Sequence, residues 1–367
     1  MNQNKKIQII LMLIGSFALT VILILILIPE KGKDIQTAKI GFILSGSVNE
    51  TGWNGMHYNG VKNASEKLNV ELLIKENVAE FKGECKEAVK ELADEGASMI
   101  LLSSYNYSEE VKELVKEYPN IAFYANSFEY QDENMTSYFV RMYQARYLSG
   151  IIAGLQTTTN KVGYVAAMAN NEVNRGISAF TLGVRSVNPE ASVIVAWTGT
   201  WDDKEIEKKA AYNLIEKVGV DIITYHQNQA YVIEVADEKD VMSIGYHQAF
   251  NQFSDNYLTS VVCDWEVVYE ELIQDFLRGK GNEIDHFWIG ITKDAVGLSD
   301  YSSKVSKEAI ELIEKTKEEM KKASVVFVGP IYDREGNLRC GEKELISDEV
   351  LLEQFDWYVE GVEFYEE

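Results

Sequence analysis

Cysteines, histidines and prolines are scarce in this sequence, and each shortage excludes a class of protein. The three cysteines, Cys85, Cys263 and Cys340, lie far apart, show no metal-ligand or redox spacing, and are too few and odd in number for a disulfide framework. The four histidines include no HExxH pair, so no zinc site is expected. Four prolines leave little room for a stiff linker inside the body of the chain. We expect neither a metal nor a cofactor.

Positive charge is also in short supply. The 35 lysines and arginines are outnumbered by 58 aspartates and glutamates, which gives a net charge of −23 and argues against nucleic-acid binding. The segment GFILSGS, residues 41–47, is neither a Walker loop nor a dinucleotide fingerprint. No serine elbow and no pair of converging carboxylates stands out in the sequence. The chain is therefore not expected to be an enzyme.

One long hydrophobic run does occur, at the N-terminus. Ile9–Ile28 is uncharged and follows the positive segment MNQNKK. As a helix it would be about 30 Å long, which matches a bilayer core. We predict that residues 1–28 form an uncleaved signal-anchor helix whose N-terminus is inside, although Lys31 and Lys33 weaken the charge bias that Lys5 and Lys6 create. The alternative is a signal peptide that is removed. Either form places the rest of the chain outside the cytoplasm, at the cell membrane if the anchor is kept.

Short apolar runs and amphipathic helices alternate after a polar linker, residues 29–38. The predicted strands are Lys39–Leu44, Val70–Lys75, Ser98–Ser103, Ile121–Asn126, Lys161–Ala167, Ser192–Trp197, Asp221–Tyr225, Val241–Tyr246 and Leu258–Val262. Their lack of polar alternation is typical of strands covered on both faces, so we predict an α/β fold with parallel sheets. The series restarts near Lys161, which indicates two lobes. We assign residues 39–157 and about 258–285 to lobe 1, residues 158–257 and about 286–345 to lobe 2, and 346–367 to a C-terminal tail.

Aromatic and neutral hydrogen-bonding residues follow the predicted strands. In open α/β sheets, ligands bind outside the carboxyl ends of the strands. The candidate ligand-binding residues at these ends are Glu50, Trp53, Asn54, Tyr105, Asn106, Asn126, Arg175, Trp201, His226, Asn228, His247, Asp264 and Trp265. Aromatic faces with amides and a carboxylate suit a flat heterocycle with polar edges.

Each candidate also has a purely structural interpretation. Trp53 could fill a local gap against Val61 where a helix begins. His226 and His247 could be loop histidines that bind only protein groups, and Arg175 could form a surface ion pair. Rim or sheet-end positions are the corresponding alternatives for the remaining aromatic residues. The joint pattern is the stronger signal, because many strand ends share one chemical character.

Five segments resemble the BMP family, the purine-nucleoside receptor group of ABC-transporter substrate-binding proteins. They are GWNGMHYNGVKNA at 52–64, YQARYLSGIIAG at 143–154, NEVNRGISAFTLGVRSVNPEASVIVAWTGTWDD at 171–203, GVDIITYHQNQA at 219–230 and DEVLLEQFDWYVEGVE at 348–363. The resemblance runs from about Lys39 to the end of the chain. It implies a type I periplasmic-binding-protein fold, in which two Rossmann-like lobes with parallel sheets close on a ligand.

The resemblance also implies roles for individual residues. Glu50 and Trp53 occupy the places of an acidic residue and of an aromatic that stacks on a purine ring, and Tyr105 fits a second stacking position. His247 stands where nucleoside binders often carry an aspartate that holds ribose hydroxyls, which favours a free base such as adenine. The implied function is an extracytoplasmic receptor that delivers a purine base or nucleoside to ABC permease subunits.

A second function is compatible with the same fold. Family members usually carry a lipid-modified cysteine after the signal peptide, and this chain has none there. The uncleaved anchor and the missing lipidation site favour, as the alternative, a membrane-anchored sensor or regulatory protein.

Overall fold

Residues 38–50, 52–126, 132–247, 254, 256–280 and 286–366 are described by a computed structural model of the chain. The predicted anchor, residues 1–28, lies outside these residues. Within them, no helix is long and apolar enough to cross a bilayer. Residues 39–367 group into one unit by their contacts, and the fold described below is that of this unit.

Strands and helices alternate along the chain as predicted. The strands are β1 (Lys39–Ile43), β2 (Glu71–Lys75), β3 (Met99–Leu102), β4 (Ala122–Ala125), β5 (Met135–Val140), β6 (Lys161–Ala166), β7 (Ser192–Trp197), β8 (Ile222–His226), β9 (Met242–His247), β10 (Tyr257–Cys263), β11 (His286–Ile289), β12 (Val296–Leu298), β13 (Ile331–Tyr332), β14 (Leu338–Cys340) and β15 (Val362–Phe364). The α-helices are α1 (Trp53–Leu68), α2 (Glu84–Asp94), α3 (Tyr107–Val111), α4 (Met142–Gln156), α5 (Asn171–Val187), α6 (Lys204–Tyr212), α7 (Tyr231–Glu238), α8 (Trp265–Leu277), α9 (Lys307–Met320) and α10 (Asp348–Glu353). All nine predicted strands are confirmed, with small shifts at their ends.

Two larger sheets carry the fold, and the order of strands is repeated in both. The first sheet runs β11-β5-β4-β3-β1-β2 and is parallel throughout; the second runs β12-β10-β9-β8-β6-β7-β15, with only the β10–β12 pair antiparallel. Strand order reverses beside β1 and β3 in the first sheet, and beside β6 and β8 in the second. Such switch points open a crevice at the carboxyl ends of the strands. We call each sheet with its helices a lobe.

Two strands do not join the sheet that is expected from the division of the sequence into lobes. β10 pairs with β9 in the second sheet, whereas residues 258–285 were assigned to lobe 1. β11 pairs with β5 in the first sheet, whereas residues 286–345 were assigned to lobe 2. The chain thus crosses between the sheets after β10 and again after β11, while α8 packs on α1 of the first lobe. Apolar patterning predicts that a strand is buried but not which sheet edge it joins.

A close contact between α4 and α5 links the end of the first lobe's series to the second lobe. A Cβ added at Gly183 on α5 would lie 2.1 Å from the carbonyl oxygen of Tyr147 on α4. Glycine is needed there because the two helix backbones approach too closely for any side chain.

The C-terminal segment is built into the fold rather than trailing from it. β15 pairs with β7 at the edge of the second sheet. Arg141, just before α4, donates to Asp348 Oδ1 at 2.7 Å. Asn174 on α5 donates from Nδ2 to the carbonyl of Phe355 at 3.1 Å. The predicted tail therefore ties the start of α4 to α5.

A buried carboxyl on α6 makes stability depend on pH. Glu207 is fully buried, its Oε1 accepts from the Asp203 backbone N–H at 3.0 Å, and its Oε2 has no partner among the described residues. Burial, helped by the charges of Asp202 and Asp203, raises the pKa of Glu207 to about 8 from its ordinary value of 4.5. The unfolded chain therefore loses this proton first, and the free energy of unfolding falls as pH rises from about 4.5 to above 8.

We expect Glu207→Gln to remove much of that fall. Glutamine keeps the oxygen that accepts from Asp203 but cannot ionise, so the variant should gain about 1–3 kcal/mol over the parent between pH 5 and pH 9. Urea unfolding at several pH values measures the difference. Glu205→Gln, on the exposed side of the same helix, is the matched control. If the free energies of unfolding of Glu207→Gln and of the parent change with pH in the same way, Glu207 is not the source of the pH dependence.

Candidate functional site

A cavity lies where the carboxyl ends of the two sheets face each other. Its empty space, counted together with the open solvent at its mouth, is about 590 Å³. Its walls are formed by Ser45, Trp53, Glu80, Ser104, Tyr105, Asn126, Glu172, Trp201, His226, Gln227, Asn228, Tyr246 and His247. Residues up to Asn126 come from the first lobe, and those from Glu172 onward come from the second.

Many of the residues that the sequence places at strand ends meet in this cavity. Those that line it are Trp53, Tyr105, Asn126, Trp201, His226, Asn228 and His247. They follow or end six different strands, which are distant in sequence. The sheet topology therefore brings them together, as the rule for carboxyl ends requires.

Trp53 opens helix α1 and is held in place from several sides. Its indole N–H donates to the carbonyl oxygen of Ser103 at 3.0 Å. Its ring centroid lies 4.0 Å from that of His57 and 5.5 Å from that of Trp265. Across the cavity, the His247 ring of the second lobe contacts it at 5.0 Å. Trp53 thus packs on its own lobe, lines the cavity and touches the opposite lobe.

A hydrogen-bonded group forms part of the second lobe's wall. The Tyr246 hydroxyl lies 2.9 Å from His226 Nε2, and Glu172 Oε1 lies 3.3 Å from the same nitrogen. Burial lowers the pKa of His226, while the Glu172 contact acts in the opposite direction. Behind Tyr246, the guanidinium of Arg146 stacks 3.9 Å from the ring centroid and donates to the Tyr225 carbonyl at 2.8 Å. The imidazole of His226 is therefore held at a fixed position in the wall.

His247 and Asn126 are buried polar residues with unsatisfied atoms. His247 ends β9 with φ at 67°, a left-handed conformation that is uncommon for histidine. Burial, reinforced by His226 and His57, lowers its pKa well below the ordinary value, so the ring is neutral near pH 7. His247 Nδ1 and Asn126 Nδ2 have no hydrogen-bond partner in the part of the chain that the structure describes. Such groups are costly unless something binds them.

Three of the predicted site residues support the loops of the first lobe and do not line the cavity. The carboxylate of Glu50 accepts from the Ser47 N–H and from Asn54 Nδ2, both at 2.8 Å. Asn106 donates from Nδ2 to Glu80 Oε2 at 2.9 Å. These contacts shape the loops after β1 and β3. A direct ligand contact by Glu50, Asn54 or Asn106 stays a prediction.

Three others lie behind or beside the cavity. Arg175 is buried, not on the surface, and donates to the carbonyl of Leu351; burial lowers its pKa to about 10. Asp264 caps α8 by accepting from the Val267 N–H at 3.2 Å. Trp265 is buried beside Trp53. Ligand contacts by Arg175, Asp264 and Trp265 also stay predictions.

Several wall residues escaped the sequence reasoning. Glu80 follows β2, so the rule that ligands bind at the carboxyl ends of strands also applies to it. Glu172 stands in the segment after β6 from which Arg175 was chosen instead. Tyr246 lies inside its strand, where a sequence gives no sign that the hydroxyl faces a cavity. Ser45, Ser104 and Gln227 are polar residues of ordinary loop type.

The arrangement suits binding rather than covalent chemistry. Aromatic side chains from both lobes, two imidazoles and several amides surround the cavity. The described residues hold no group of three or more histidine, cysteine or acidic side chains placed to bind a metal ion.

Several known proteins are similar to this chain in sequence. The family model described as ABC transporter substrate-binding protein PnrA-like matches residues 37–334. A purine-binding protein of Brucella abortus is 32% identical over 335 residues, covering 89% of this chain and 93% of the relative. A putative ABC transporter glucose-binding protein of Haloferax volcanii is 29% identical over 338 residues, covering 91% of this chain and 82% of the relative.

A solved structure has the same fold. The crystal structure of a transcriptional activator of the comK gene from Bacillus halodurans superposes with a TM-score of 0.69 at 23% identity, covering 79% of this chain and 99% of the other. The match of the family model and the identity to the Brucella relative both extend over most of the chain. The chain belongs to the Bmp family of PnrA-like ABC transporter substrate-binding proteins.

Proposed function

We propose that this protein is an extracytoplasmic receptor that captures a purine base or purine nucleoside between its lobes and delivers it to ABC permease subunits. The observation that carries the proposal is the cavity wall: Trp53 and Tyr105 of the first lobe and Trp201 of the second line the same cavity. Aromatic rings contributed by both lobes to one cavity are suited to a flat aromatic ligand.

The polar residues of the wall can form hydrogen bonds with the edges of a purine. Asn126, Asn228 and the neutral His247 can donate to and accept from the edges of a heterocycle, whose ring nitrogens and amino groups need such partners. The relative from Brucella is named a purine-binding protein, which supports the same ligand class. The predicted N-terminal anchor would hold the receptor at the outer face of the cell membrane.

Isothermal titration of the full-length protein tests the ligand class. The titrants are adenine, adenosine, guanosine and inosine, with glucose as the competing class because of the relative from Haloferax. We expect at least one purine to bind with a Kd of about 1 μM or tighter and glucose to give no heat. Binding of glucose alone, or no binding of any purine, would refute the proposal.

A regulatory role is the second candidate function. Two observations favour it: the fold matches that of a transcriptional activator, and no cysteine that could be lipidated follows the hydrophobic segment. A reporter fused after Glu367 separates the two functions in part. A receptor for uptake requires the fused reporter outside the cytoplasm, and a cytoplasmic reporter would exclude uptake.

A further inference from the structure

We infer that Glu80 and Glu172, one carboxylate from each lobe, select a purine that carries N–H donors on two edges and exclude ligands that carry a phosphate. The inference rests on the proposed function and narrows its ligand class to a free base. Neither residue was a candidate from the sequence, and each lines the cavity.

Glu80 is fixed by its own lobe. Its Oε1 accepts from the Ser104 hydroxyl and from the Asn106 N–H at 3.2 Å, and its Oε2 accepts from Asn106 Nδ2 at 2.9 Å. A carboxylate offers about four lone-pair sites, so three donors leave about one for a ligand. The carboxylate is thus oriented before any ligand arrives, which lowers the ordering cost of binding.

Glu172 is the corresponding carboxylate in the wall of the second lobe. It lies in the first turn of α5, where the helix dipole stabilises a negative charge. Its Oε1 approaches His226 Nε2, which the Tyr246 hydroxyl also contacts. Only 17% of its side chain is exposed. The carboxylate is therefore positioned in the wall, facing the ligand space from the lobe opposite Glu80.

Among the wall residues that the structure describes, none is a lysine or an arginine. Arg146 lies behind the Tyr246 ring, and the buried Arg175, whose charge interacts with Glu172, donates to the Leu351 carbonyl instead of lining the cavity. His226 and His247 are neutral near pH 7, since burial lowers the pKa of both. A phosphate would face the Glu80 and Glu172 carboxylates directly, with no described cation between them and the ligand, whereas N–H donors would pair with them.

The chemistry of purines then distinguishes free bases from their derivatives. Adenine carries an amino group on its six-membered ring and an N9–H on its five-membered ring, so it offers a donor at each end. Adenosine and 9-methyladenine lack the N9–H, and AMP adds a phosphate. One carboxylate on each side can accept from both ends of adenine but from only one end of the other three.

The test is a titration series with the full-length protein at constant ionic strength. We expect adenine to bind at least about 10-fold more tightly than 9-methyladenine, since a hydrogen bond to a charged group is lost. Adenosine should bind more weakly than adenine, and AMP should give no heat. Glu80→Gln and Glu172→Gln should each weaken adenine by about 10-fold or more. One of them should abolish the preference over 9-methyladenine, and the double variant should bind AMP measurably.

Glu117→Gln, on the exposed surface of the first lobe, is the matched control and should leave every affinity unchanged. Thermal unfolding shows whether the variants fold; if one does not, the ligand series on the parent protein decides alone. A parent that binds adenosine or AMP as tightly as adenine overturns the inference and leaves purine binding intact. The inference is also overturned if the glutamine variants keep the parent's preference for adenine over 9-methyladenine, adenosine and AMP. A parent that binds no purine overturns the proposed function itself.

Discussion

The affinity for a purine is expected to fall by at least about 100-fold when Trp53 is replaced by alanine. Stacking of a base on an aromatic ring is worth about 1–3 kcal/mol, and the indole also contacts the second lobe through His247 at 5.0 Å. Alanine removes both the stacking surface and this contact between lobes. A 100-fold change corresponds to about 2.8 kcal/mol, which calorimetric titration resolves easily.

Trp53→Phe is the informative companion. It keeps an aromatic face but loses the N–H that donates to the Ser103 carbonyl, so we expect a loss of about 10-fold. Unfolding of the ligand-free proteins separates a loss of binding from a loss of structure, because Trp53 is only partly buried. Trp53→Ala with the parent's affinity would show that the ring does not stack on the ligand.

Much of the architecture follows from local patterns along the sequence. Apolar runs without alternation predict strands covered on both faces, and β1, β6 and β8 begin and end within a residue or two of their predictions. Their burial is what selects apolar side chains at successive positions. The rule that ligands bind at carboxyl ends then brings Trp53 and His226 to one cavity, although they belong to different lobes.

The division of strands between lobes did not follow from such patterns. β10 and β11 are both short apolar strands, and each joins the sheet opposite to the expected one. Which edge a strand joins depends on the packing of the whole sheet and on the path of the preceding helix. Local hydrophobicity contains neither kind of information.

The sequence alone also does not show which glutamate lines the cavity. Glu50 lies in the segment between β1 and α1 and is a reasonable candidate, yet its oxygens accept from Ser47 in the same segment and from Asn54 in the first turn of α1. Glu80, which is closer to the end of its own strand, lines the cavity because Ser104 and Asn106 hold it there. A sequence gives the position of a side chain along the chain, but the hydrogen bonds of the folded loop decide where it points.

Arg175 was unpredictable for a different reason. Its partner, the carbonyl of Leu351, lies 176 residues further along the chain. The C-terminal segment must fold back onto α5 before this arginine has anywhere to donate. Long-range partners of this kind leave no periodic signal near the residue that they bind.

Closure of the two lobes is expected to be blocked in part by Gly52→Ala. Gly52 precedes α1 in the first lobe, and a Cβ placed there would lie 2.2 Å from the carbonyl oxygen of Asn228 in the second lobe. Such a distance is far below any real contact, so the lobes must separate or the loops must shift. The strain falls on the closed arrangement alone, because an open form no longer holds Asn228 against this position.

We therefore expect Gly52→Ala to weaken purine binding by about 10-fold or more, equivalent to the 1–3 kcal/mol that overpacking usually costs. Urea unfolding of the ligand-free protein should change much less. Gly297→Ala is the matched control, since its Cβ meets no atom within 4 Å and it should alter neither quantity. If Gly52→Ala binds purine as tightly as the parent, the contact between Gly52 and Asn228 plays no part in the ligand-bound state. The claim that the lobes close on the ligand with Gly52 against Asn228 would then be wrong, even if the ligand stacks on Trp53.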